Sequence, residues 1–141
     1  MIKKLIFTLI CVLSSGFVQA ADWKYLGTGM SGSGKFAFFI DQETIETKNS
    51  LRGVWIKYEF VNSFVVVNYS ISCKKESFVT VTSAKYDANG NVIGYNGEFS
   101  SQAFIGHGST IDSIKNYVCA DYYQEKESKS FVPFNPNIPR P

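Results

Sequence analysis

From Asp22 onward the chain alternates apolar and polar residues with period two in run after run, and only near its end does the spacing lengthen to that of a helix. Asp22 to Gly27 predicts a short first strand carrying Trp23 and Tyr25, followed by a glycine- and serine-rich loop from Gly27 to Gly34. Lys35 to Asp41 reads as a second strand. Phe36, Phe38 and Ile40 alternate there with Ala37, Phe39 and Asp41, so both faces are largely apolar and the strand belongs inside a sheet. Asp41 to Ile45 reads as a turn in which Asp41 or Thr44 bonds nearby backbone. Val54, Ile56, Tyr58 and Phe60 mark one face of a third strand, against Trp55, Lys57 and Glu59 on a wet one. In the fourth, Val65, Val67, Tyr69, Ile71 and Cys73 share a face while Asn68, Ser70, Ser72 and Lys74 point the other way, which puts Cys73 on the buried side. Ser77 to Tyr86 predicts a fifth strand, and the turn-rich Asp87 to Asn91 returns the chain into a sixth, from Val92 to about Phe99.

The period then changes. Ser109 or Thr110 can cap a helix in which Ile111, Ile114, Val118 and Tyr122 recur at helical spacing, with Asp112 well placed in the first turn. Cys119 falls at the edge of that stripe. Lys115 intrudes on it and is expected to snorkel outward. The elements together predict an α+β domain: an antiparallel meander of about six strands covered by one C-terminal amphipathic helix.

Lys3 and Lys4 precede an apolar stretch from Leu5 to Val18, and Val18, Gln19 and Ala20 offer a cleavage site, so residues 1–20 read as a signal peptide. The stretch is shorter than the ~18–20 apolar residues that span a bilayer. Cys11 does not make a lipoprotein signal, because Ile10 stands where a small residue is wanted. The organisation expected is a signal peptide (1–20), one domain (21–125) and a flexible proline-rich tail (126–141) in which all four prolines lie beyond residue 132. With two lysines lost, the basic residues fall from 14 to 12 and match the 12 acidic ones. A near-neutral domain is not expected to attract nucleic acid.

Two cysteines then remain, Cys73 and Cys119, about 45 residues apart, and an oxidising compartment favours a bridge worth about 4 kcal/mol. Two thiols with the lone His107 make a weaker case for zinc. Gly27, Gly29 and Gly32 fit GxGxxG, and Gly29, Gly34 and Lys35 open like a phosphate-binding loop, but a strand follows where either motif needs a helix. His107, Ser109 and a carboxylate lack a nucleophile elbow, and Asp41 with Glu43 sits at a turn facing water. No enzyme, cofactor, metal or nucleotide is expected. Trp23, Tyr25 and Trp55 are candidate partner-binding residues, although their strand positions favour the core. Lys74 and Lys75 beside Glu76, and Lys126, Glu127 and Lys129, read as solvated surface or as contacts for acidic or sulfated partners.

The layout resembles the surface-adhesin protein E family of small exported bacterial proteins. Carrying the resemblance are Ala21-Asp22-Trp23-Lys24-Tyr25-Leu26-Gly27 after the signal, Phe39-Ile40-Asp41 with Thr44-Ile45, and Val54-Trp55-Ile56-Lys57. Further on come Tyr69-Ser70-Ile71-Ser72-Cys73, the Tyr86-Asp87 to Gly90 turn, and Gly108-Ser109 ahead of Val118-Cys119. His107 takes the place of the family's usual proline, and the tail lies outside the pattern. The resemblance implies a helix tied by disulfide to an antiparallel sheet, and a noncatalytic module that adheres to host matrix proteins such as vitronectin or laminin, sometimes as a homodimer, in the periplasm or at the cell surface. The alternative is a periplasmic small-ligand-binding or envelope-maintenance protein.

Overall fold

The computed structural model describes residues 21–130; the expected signal peptide (1–20) and the prolines of the tail lie outside them. Eight antiparallel strands follow one another: β1 (Trp23–Ser31), β2 (Gly34–Asp41), β3 (Glu46–Lys48), β4 (Leu51–Glu59), β5 (Ser63–Ser72), β6 (Ser77–Asp87), β7 (Val92–Asn96) and β8 (Ala103–Phe104). The main path is β1-β2-β4-β5-β6-β7, with β3 paired to β4 and β8 to β6. Helix α1 (Thr110–Val118) and helix α2 (Ala120–Ser130) complete the domain. The meander, the central position of β2 and the α+β class agree with the periodicity. The short β3 and β8 carry too few residues to leave a periodic trace.

The glycine run is strand, not loop. Gly27 pairs with Phe38 and Gly29 with Phe36, after a bulge at Leu26 that shifts the register. The two rings lie over the two glycines: a Cβ added at Gly29 would come within 2.4 Å of Phe36 Cζ, and one at Gly27 within 3.1 Å of Phe38 Cε1. The glycines thus leave room for aromatic side chains from the neighbouring strand, and the turn shrinks to Gly32 and Ser33.

One face of the sheet is covered by the helix. Phe36, Phe38, Ile40, Val54, Ile56 and Ile71 pack with Ile114 and Val118 in one buried cluster. Ser109 is the N-cap: its Oγ accepts from the Asp112 amide at 3.2 Å, and the Asp112 carboxylate accepts from the Gly108 amide at 2.9 Å. Cys73 and Cys119 are fully buried and joined, with Cα atoms 5.7 Å apart. The helix interrupts itself at Cys119, because the Val118 carbonyl accepts Arg52 Nε at 3.0 Å. One predicted helix is therefore two, and residues 126–130, assigned to the tail by composition, continue α2.

Lys115 corrects a second expectation. It does not snorkel; it is buried, with its ammonium 3.0 Å from Asp112 Oδ1 and 3.2 Å from Glu76 Oε1. Burial alone would lower its pKa, but the bonds to Asp112 and Glu76 outweigh it and hold the group above its ordinary range.

Candidate functional site

The residues singled out by sequence share one side of the molecule. Strand alternation directs Trp23, Tyr25, Phe39, Trp55 and Lys57 away from the helices, and register aligns Tyr25 with Phe39 and Phe39 with Lys57. The Lys57 ammonium sits 4.8 Å from the Phe39 ring centre and 5.2 Å from that of Trp23. Trp23 and Trp55 are half-buried and Tyr25 is exposed, so none of the three belongs to the buried core that their strand positions favoured. Strand parity is the reason: the opposite parity on each strand carries the core.

At the β5–β6 end of that face the chain reverses through Cys73, Lys74, Lys75 and Glu76. The turn is held from several directions. The Lys75 amide donates to Ser72 Oγ at 3.2 Å, Tyr123 donates its hydroxyl to the Cys73 carbonyl at 3.3 Å, and the disulfide anchors Cys73 to the helix. Glu76 adopts φ 49°, a left-handed conformation that disfavours a side chain bearing a Cβ. Lys115 on its carboxylate and the Ile105 amide on its carbonyl, at 2.9 Å, hold it there.

Lys74 and Lys75 border a groove of about 400 Å³ with Ser50, Ser70, Ser72 and Ser77 along its walls and Leu51 and Val79 as apolar surface. Gln102 reaches in from the residue before β8, donating its amide to Ser77 Oγ at 2.6 Å. The sequence pattern indicated that Ser70, Ser72 and Lys74 share a face; Gln102 and Ser50, remote in the chain, left no such signal.

His107 is exposed, with Nδ1 3.9 Å from Asp112 Oδ2. Ser109 Oγ donates to the Gly106 carbonyl at 2.6 Å while capping α1, so its hydrogen bonds are committed to the helix start. Asp112 is held below its ordinary range first by the Gly108 amide and then by Lys115. A second depression of about 430 Å³ lies between Thr28, Gly29 and Met30 and the start of α1. Among the described residues no group of three or more His, Cys, Asp or Glu side chains could hold a metal ion.

Among the described residues no strand pairs beyond β7, the far edge of the sheet. All five residues of β7 are exposed; Tyr95 reaches 74% and Val92 60%, and Phe99 and Phe104 are exposed in the segment that follows. No helix among the described residues is long and apolar enough to cross a membrane, and the disulfide points to an oxidising, exported environment. No protein-family model, curated protein or solved structure matches this chain.

Proposed function

We propose that this chain is a noncatalytic, exported protein-binding module that engages its partner along the β7 edge and the adjoining open face of the sheet. The observation that carries this reading is β7 itself, a terminal strand whose every residue is exposed and which sets Val92, Ile93 and Tyr95 beside unpaired backbone. Exposed edges are usually shortened, charged or covered; one left apolar suits partner binding by strand addition. The exposed Tyr25 and half-buried Trp23 and Trp55 supply aromatic contact surface nearer β1. By the resemblance above, the partners are host matrix proteins such as vitronectin or laminin, met from the periplasm or the cell surface without a lipid anchor, and a second copy of the chain can pair at the same edge.

Surface plasmon resonance with immobilised vitronectin and laminin tests this, using the exported, oxidised protein and a Val92→Lys/Tyr95→Lys variant. Micromolar or tighter binding that the charged edge weakens supports the reading. No binding to either protein, with a small molecule instead raising the melting temperature, overturns it in favour of the small-ligand alternative.

A further inference from the structure

The groove at the β5–β6 turn carries an inference beyond protein binding and independent of it: we propose that it is a binding site for a sulfated polysaccharide. Two features of the groove combine. Lys74 and Lys75 are exposed and make no ion pair among the described residues, and Glu76, the acid next to them in sequence, is ion-paired with the buried Lys115. Two positive charges therefore stand at the rim unpaired among the described residues. The floor is polar and fixed: Ser77 is 1% and Ser72 8% exposed. Each hydroxyl accepts a bond, Ser77 from Gln102 and Ser72 from the Lys75 amide, and neither donates its own proton to a described residue. The polar floor is thus set in place beneath the two ammonium groups before a ligand arrives.

The kind of acceptor follows from what is already used. Ser70 pairs with Val79 and Ser72 with Ser77, so the main chain beneath the groove is spent within the sheet and offers no ladder for a peptide to extend. Recognition must come from ammonium, hydroxyl and amide side chains, a set that fits a chain alternating sulfate groups with sugar hydroxyls. Leu51 and Val79 supply apolar surface for the ring faces. The volume, about 400 Å³, accommodates a short segment of such a chain. The turn is also preformed: the disulfide at Cys73, Lys115 on Glu76 and Tyr123 on the Cys73 carbonyl hold it before any ligand arrives.

Isothermal titration of the exported, oxidised protein with a heparin-derived oligosaccharide tests the site, beside the same oligosaccharide chemically desulfated. Lys74→Gln/Lys75→Gln should weaken binding roughly tenfold or more, the loss of two charge contacts. Lys126→Gln/Lys129→Gln, with the same change in net charge on α2, should bind as the parent does. Added salt should weaken the parent. The proposal is overturned if the parent binds no oligosaccharide, if the desulfated form binds equally, or if both lysine pairs matter alike. It is equally overturned if poly-glutamate or vesicles of phosphatidylglycerol occupy the same lysines as tightly.

Discussion

Replacing Arg52 tests how the sheet is fastened to the helices. Its guanidinium is 3% exposed and makes five hydrogen bonds: to the Val118, Asn49 and Leu51 carbonyls at 3.0, 2.8 and 3.1 Å, and to both oxygens of Asp121 at 3.0 and 3.1 Å. The ion pair looks dominant by charge, but Asp121 is 71% exposed, and a pair with one partner in water contributes only about 0–1 kcal/mol. The carbonyls decide the cost. The Val118 bond is buried at the helix break, and an acceptor stranded there costs about 1–3 kcal/mol, with the other two adding to it. Arg52→Met should therefore lose about 3 kcal/mol and Asp121→Asn less than about 1 kcal/mol, measured by urea unfolding followed by tryptophan fluorescence. About 1 M salt should leave the Arg52→Met deficit nearly intact, because screening acts on the exposed pair and not on buried carbonyls. The reasoning is refuted if Asp121→Asn costs as much as Arg52→Met, or if salt erases the difference.

Cys73→Ala/Cys119→Ala should destabilise the domain by about 4 kcal/mol, from a cross-link spanning 46 residues, read as a lower urea midpoint; a loss under about 1 kcal/mol would show that the bridge barely constrains the unfolded chain. Gly29→Ala should cost about 1–3 kcal/mol because the new methyl meets the Phe36 ring, whereas Gly32→Ala, with nothing within 4 Å, should be near neutral; equal effects in thermal melts would remove the ring-over-glycine account of β1. Burial raises the pKa of Tyr58 and Tyr69, whose hydroxyls lie 3.1 Å apart, and for Tyr58 the neighbouring tyrosine adds to the rise. Their contribution is thus complete below the ordinary value of 10.0 and lost as pH climbs above it, so the part of the tyrosinate absorbance that Tyr58→Phe/Tyr69→Phe removes should rise together with unfolding, and ahead of it if the two phenols are accessible.

Period-two alternation determined the strands, their order as a meander and the inward parity of Cys73, because side-chain direction along a strand is a local consequence of backbone geometry. The helical stripe of Ile111, Ile114 and Val118 and the Ser109 cap were legible for the same reason. What sequence missed depends on residues far apart in the chain. Gly27 and Gly29 look like a loop until Phe36 and Phe38 from the next strand lie over them. Lys115 looks misplaced on an apolar stripe until Glu76, 39 residues away, meets it from the β5–β6 turn. Arg52 carried no signal at all, since its partners are mostly carbonyls, which every residue possesses.

The candidate site divides in the same way. Alternation put Ser70, Ser72 and Lys74 on one face and set Trp55 against Val54 and Ile56, but only burial in the folded chain removed Trp55 from the core that its strand position favoured. The tertiary structure decided that, among the described residues, Lys74 and Lys75 make no ion pair, that Gln102 and Ser50 join them, and that β7 ends the sheet with an exposed apolar edge. Local periodicity encodes which way a side chain points; charge balance, groove shape and the identity of an edge are sums over neighbours that only the folded chain brings together.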